Sequence, residues 1–346
     1  MMQALFYTGP DQMELRDAEL PPLGVGESRV RVLATGICGS DLHAYHGHDP
    51  RRVPPMILGH EAAGEVIEGP LAGKRVTMNP LVICGHCDYC LEGRQNLCSN
   101  RTMLGMNRPG TFAESVVVPD QCLIELPDGL SSVAAALTEP AATALHAINR
   151  LERSLTRPLA EAKTLVIGAG AVGLLTGLML RQRGVRRLTL ADTNPLRRET
   201  AEKAGLTVID PRETPLEADS VEAVFDCVGA SATRAMAVQA MRPGGVLMHL
   251  GLQDNDGQFD MRSVTLKELI VLGAYTYTPT DLQASVDLLA SAALGPLDWV
   301  ETRTLDAGVG AFADLVAGQT AAAKIVLTPG GCFRPRHPAS VPVTVG

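Results

Sequence analysis

"TLVIGAGAVGLLTGLML", residues 164–180, runs from four strand-type residues through three glycines into an apolar, helix-like stretch. Gly168, Gly170 and Gly173 stand in the spacing G-x-G-x-x-G, a weak signal alone because glycines also close ordinary turns. Context strengthens it: a buried-type strand precedes the glycines, an apolar helix follows, and Asp192 ends the next strand-like run 19 residues after Gly173. In such a unit the first glycine permits a tight turn and the second lets backbone amides approach a pyrophosphate. The third lets helix and strand pack closely, and the helix N-terminus adds partial positive charge. Val172 completes the loop. Asp192 can accept both hydroxyls of an adenosine ribose and would repel a 2′-phosphate, so the expected cofactor is NAD rather than NADP. Arg197 and Arg198 stand close to that strand end, where an arginine can take a 2′-phosphate. Solvated charge on the first turns of a helix accounts for Arg198.

Outward from this loop the same texture repeats. "RRLTLAD", "VEAVFDCVG", "GGVLMHLG" and "KELIVLGA" alternate with helix-like "PLRRETAEKAG", "ASATRAMAVQAM" and "PTDLQASVDLLASA". Repeated β-α-β units predict a doubly wound parallel sheet over residues 151–292. Residues 1–150 read instead as short strands ("SRVRVLAT", "GKRVTM", "FAESVVVP") separated by Pro/Gly clusters, a β-rich domain with functional loops. After residue 293 the strand-like "VETRTLD" and "AAKIVLTP" predict a return to the first domain, followed by a tail. The fold class is therefore α/β in two domains, which suits 346 residues.

The formal charge of −8, with no dense Lys/Arg block, argues against a nucleic-acid partner. The longest apolar run, residues 171–180, is about half of what a bilayer span requires, and the start has no basic segment followed by a long apolar one. No membrane is expected, and a cytoplasmic location is. Aromatic residues are only 3%, so the cores must be aliphatic.

Four of the eight cysteines fall in "CGHCDYCLEGRQNLC", residues 84–98. Cys84, Cys87, Cys90 and Cys98 match a tetrahedral Zn2+ with every position filled, hence a structural one. Disulfides in so short a loop would be strained and out of place in a reducing compartment, and a redox C-x-x-C needs two cysteines rather than four. Upstream, "GICGSDLHAYHGH" offers Cys38, Ser40, Asp41, His43, His46 and His48, and "PPMILGHEAAG" offers His60 and Glu61. A Cys/His/carboxylate set with one open position would make a catalytic zinc, with Cys38 and His60 its first pair.

Together "GICGSDLH", "ILGHEAAG", the cysteine quartet, "LTEPAATALHA" and "VIGAGAVG", in that order from about residue 3 to about 329, resemble the zinc-dependent medium-chain alcohol dehydrogenase family. The likeness is to its polyol (sorbitol-like) and threonine dehydrogenase branch. The resemblance implies a GroES-like catalytic domain over 1–150 interrupted by a Rossmann domain over 151–292, two zinc ions per chain, and a homodimer or homotetramer. It assigns the catalytic zinc to Cys38 and His60, with Glu61 a ligand or exchanging carboxylate and Glu139 in the third protein position, directly or through water. Ser40 and His43 correspond to a proton relay, and Asp192 and Arg197 to contacts with the adenosine ribose of NAD. The implied activity is oxidation of a secondary hydroxyl of a small polyol or similar polar alcohol to a ketone, with L-threonine or a simple alcohol as the alternative. Residues 64–80 form a shorter connection than the family's usual one, and the tail beyond Pro329 has no counterpart. Cys122, Cys227 and Cys332 read as packing residues or a free thiol. His46 and Tyr45 are read either as pocket lining or as loop surface, while His146, His249 and His337 lack ligand spacing.

Overall fold

The structure, a computed structural model, describes residues 1–330. Thr164–Ile167 is fully buried and centres a six-stranded, all-parallel sheet. Its strand order is Val208–Ile209, Leu188–Ala191, Thr164–Ile167, Val221–Asp226, Met241–His249, Ile270–Gly273. Order reverses between the third and fourth of these, the crevice where such sheets receive a ligand. The glycine loop opens onto that crevice and leads into the helix Ala171–Gln182.

The other domain is built around Glu27–Gly36, whose alternation gives one buried face. That strand pairs antiparallel with Glu61–Glu68, with Ser115–Pro119 and with Lys324–Thr328. The last strand, in turn, lies parallel to Val300–Thr304, so the segment after the parallel sheet joins the sheet formed by the start of the chain. Between these two late strands lies the helix Gly308–Val316, which the strand-like texture after 293 did not announce. Two glycines lower its helix propensity, and burial of Ala311 and Phe312 against the first domain's core outweighs it.

The helix Thr138–Glu152 spans the expected 150/151 division. Pro140 sits in its first turn, where no backbone donor is needed. Its alanine-rich body recurs at helical spacing, and Ala144, Leu145, Ile148 and Leu151 are buried in one cluster with Leu174 and Leu178 of the next helix and with Val286. Its buried His146 Nδ1 meets Asp281 Oδ2 at 2.7 Å, and Asn149 donates to the other oxygen of that carboxylate. Among the described residues no helix is long and apolar enough to cross a membrane.

Candidate active site

The cysteine quartet forms a small lobe. Cys87 precedes the short helix Asp88–Leu91, which turns Cys90 inward. Sulfur separations are 3.5 Å for Cys87–Cys90 and for Cys84–Cys98 and 4.0 Å for Cys84–Cys90, far beyond a disulfide bond. Four Zn–S bonds of about 2.3 Å in a tetrahedron set sulfurs about 3.8 Å apart, so the cage fits that ion. Backbone amides, that of His86 first, lower the Cys84 thiol to about 6, whereas burial raises Cys90 to about 12. A divalent cation would make all four thiolates. The lobe docks on a distant loop, with buried Asn96 donating to the Tyr275 carbonyl at 2.8 Å.

The second cluster is assembled by the β domain. Cys38 follows the central strand and precedes the helix Gly39–Tyr45, while Glu61 begins the neighbouring strand and His60 immediately precedes it. The register pairs Gly36 with Glu61, and a Cβ at position 36 would strike the Glu61 carboxylate. The ligand atoms of Cys38, His60 and Glu61 all lie within 4.8 Å of one another. Asp41 Oδ1 stands 3.4 Å from His60 Nδ1, behind that ring, the place from which carboxylates orient metal-binding histidines. Burial opposes charge on His60, yet Asp41 holds its pKa well above the ordinary range. Arg52, also buried, reaches Asp49 and the Ser40 carbonyl.

Glu61 is fully buried, and the buried Lys324 Nζ donates to both of its oxygens, at 2.9 and 2.6 Å. Glu139 lies outside the 4.8 Å group, in the first turn of the bridging helix. Burial, assisted by Glu61, pushes its carboxyl up to about 7. Tyr277 is buried beside it.

Ser40 Oγ is 3.5 Å from His60 Nε2. His43, three residues on and so on the same helix face, packs edge-on to His48 with ring centroids 5.3 Å apart. Burial and His48 lower its pKa, leaving a neutral ring that can accept a proton.

At the glycine loop, Gly168 has φ +97°, and a Cβ there would come 2.7 Å from Val228. At Gly173 a Cβ would meet the Gly168 carbonyl, so helix and loop pack as the spacing anticipated. Asp192 Oδ2 accepts the Ala169 amide at 2.7 Å, and Arg197 lies beside Gly170, 4.0 Å from where its Cβ would stand. Val172 is in the first turn of the helix. Arg198 differs from expectation: it pairs with buried Asp210 at 2.8 Å rather than standing in solvent.

The structure brings the expected ligands other than Glu139 into two separate clusters and turns Tyr45 and His46 to Asp11 in the N-terminal hairpin. Cys122 and Cys227 are packed, while Cys332 and His337 lie outside the described residues. Lys324, Arg52 and Tyr277 escaped sequence reasoning as site residues; Asp41, three residues after Cys38, was among the residues that stretch offered, though without its role behind His60.

The Alcohol dehydrogenase GroES-like domain model matches residues 24–128, and the Zinc-binding dehydrogenase model matches residues 171–291. An L-threonine 3-dehydrogenase of Sinorhizobium medicae is 31% identical over 295 residues, covering 80% of this chain and 84% of that protein. Acetophenone reductase of Geotrichum candidum, solved with NAD, has TM-score 0.85 and 27% identity, covering 94% of this chain and 97% of its own. For 2R,3R-butanediol dehydrogenase of Bacillus subtilis the values are 0.82 and 27%, with coverage of 95% and 100%.

Proposed function

We propose that this chain, which belongs to the zinc-dependent medium-chain alcohol dehydrogenase family and is an oxidoreductase, oxidises a secondary hydroxyl of a polyol or similar polar alcohol to a ketone with NAD. The observation that carries it is the cluster of half-buried Cys38 with buried His60 and Glu61, its ligand atoms within 4.8 Å, with Ser40 against His60. Zinc held there by Cys38, His60 and a carboxylate supplies Lewis acidity toward an alcohol oxygen. NAD, seated on the Gly168–Gly173 loop with Asp192 at its ribose, supplies the hydride acceptor.

The protein's own groups do the rest. Cys38 and His60 hold one corner of the site, and Asp41 keeps the His60 ring oriented. Lys324 occupies both Glu61 oxygens, which leaves Glu139 as the carboxylate available to act through water. Ser40 takes the hydroxyl proton in exchange for its own, which leaves by way of the cofactor ribose to neutral His43 and water. A second zinc in the four-cysteine lobe is structural. Carboxylates beside the metal suit oxygen-rich substrates that offer a second hydroxyl. Two relatives, named for acetophenone and for butanediol, act at secondary centres. The curated relatives named L-threonine 3-dehydrogenase favour L-threonine as the second reading. A cytoplasmic location fits the free thiols, and a homodimer or homotetramer fits the family.

The test is NAD reduction by zinc-loaded protein over polyols, simple alcohols and L-threonine. Polyols should be oxidised best and ethanol poorly. Efficient ethanol turnover with no response to any polyol would overturn the substrate class.

A further inference from the structure

Where the cysteine lobe meets the Tyr275 loop lies a cavity of about 230 Å3. Arg51, Ser99, Arg101 and Tyr275 supply its polar wall and Met103 and Met106 an apolar one, with no acidic residue among the lining. Arg51 is neutralised by Asp49, which it grips with two nitrogens. Arg101 has no carboxylate partner among the described residues. Its Nη1 donates to the Cys98 carbonyl at 2.8 Å and its guanidinium lies 4.8 Å over the Tyr275 ring, which leaves Nη2 without a protein acceptor. Both anchors are rigid, since Cys98 is fully buried in the quartet and Asn96 grips the Tyr275 carbonyl. Here is a positioned cation with a free donor, facing a small cavity.

Two lining residues, Tyr275 and Arg51, are close chain neighbours of residues at the reacting centre. Tyr277, two residues and so no more than about 7 Å along the chain from Tyr275, is buried beside Glu139. Arg52, next to Arg51, bonds the Ser40 carbonyl at 2.7 Å. The loop between carries strain: Thr276, β-branched, has φ +46°. Thr276 Oγ1 is buried with no hydrogen-bond partner among the described residues, whereas Tyr277 Oη faces the Glu139 carboxyl.

We propose that the substrate bears a carboxylate a few atoms from its reacting secondary hydroxyl, and that Arg101 receives it. This rests on the dehydrogenase function proposed above and narrows its substrate to a hydroxy acid. A guanidinium gives charge-assisted hydrogen bonds that match a carboxylate, and Nη2 of Arg101 is the donor left for one.

Gluconate and sorbitol, which share configuration, separate the charge from the chain, and sorbitol 6-phosphate tests the other common anion. With zinc-loaded protein and NAD, gluconate should exceed sorbitol in kcat/KM by about tenfold or more, as expected for one charge-assisted hydrogen-bonded pair. Arg101→Gln should collapse that ratio by about 10- to 100-fold through KM, with kcat little changed. Arg101→Lys should recover part of it, and Arg94→Gln, in an exposed pair with Glu92 on the same lobe, should leave the ratio as it was. Zinc content of two in each variant shows that the lobe is intact. Equal use of gluconate and sorbitol, a ratio indifferent to Arg101→Gln, or preference for the phosphate ester overturns the proposal. Titration of gluconate and sorbitol into the protein with NADH separates the two failures. Arg101-dependent gluconate binding without any turnover defeats the dehydrogenase chemistry and spares the anion site; turnover without Arg101 dependence does the reverse.

Discussion

The two candidate metal centres are made in opposite ways. The cysteine lobe draws all its ligands from residues 84–98, near the surface, with Cys84 and Cys87 partly exposed. The other cluster draws on segments separated along the chain, has His60 and Glu61 buried with Cys38 half-buried, and has an arginine, an aspartate and a lysine around it. A local site of like ligands can serve only to hold structure. A site assembled by the whole domain, with unlike ligands and a carboxylate to spare, can hold a substrate. The first should fail as a fold and the second as a catalyst.

The largest contrast comes from cutting one thiol in each. Cys98→Ser opens the closed set and forfeits much of the about 10–16 kcal/mol that structural zinc contributes to a small metal lobe at neutral pH, so the lobe should unfold and expose Tyr275. Cys38→Ser should keep its thermal midpoint while kcat/KM falls by about a thousandfold or more and zinc drops from two to one, read by calorimetry and metal analysis. Matching thermal losses in the two variants would erase the distinction.

Next, Lys324→Met should destabilise the metal-free protein by about 3–5 kcal/mol in urea, because it leaves the Glu61 carboxylate buried and uncompensated. A double variant with Glu61→Gln should recover most of that. Leu151→Ala, in the bridging helix and remote from both clusters, should cost about 2–5 kcal/mol with zinc content unchanged; metal loss there would show that the helix core and the metal site are not separable.

A smaller effect concerns pH. Burial raises Glu139 from its ordinary 4.5 to about 7, so the folded metal-free protein holds a proton the unfolded chain has released. Stability from this group is complete below about pH 4.5 and is lost as pH rises toward 7. Urea midpoints of metal-free protein should fall over that window, and Glu139→Gln should flatten the slope. The smallest expected change is at the nucleotide end. Asp192→Gly should narrow the NAD over NADP preference by about tenfold while leaving both metal clusters filled.

How much of this was legible in the sequence follows the same division. The quartet and the glycine loop could be read because ligands and turn residues are neighbours along the chain, and their spacing already states a geometry. Asp192 was readable for a related reason: a strand and a helix have nearly fixed lengths, so the next strand end falls at a set distance. Lys324 was not, since its partner lies 263 residues earlier and nothing in "AAKIVLTP" distinguishes a buried lysine from a solvated one. Arg101 and Tyr277 were missed likewise, as their importance comes from the lobe and a distant loop being folded against each other. The helix Gly308–Val316 was hidden because its burial, rather than its propensity, makes it helical.

The place of Lys324 also bears on the order in which the molecule forms. Its strand is the last one described, and it fills the gap beside Glu27–Gly36. During synthesis the parallel sheet, complete by Gly273, can close while the ribosome has yet to make the lysine. Until then the strand carrying Glu61 must stay partly open to water, since closing it would bury an unpaired carboxylate. The first domain to be made is therefore the second to finish, and a nascent chain released before residue 324 should contain a folded parallel sheet joined to an N-terminal half that still yields to protease.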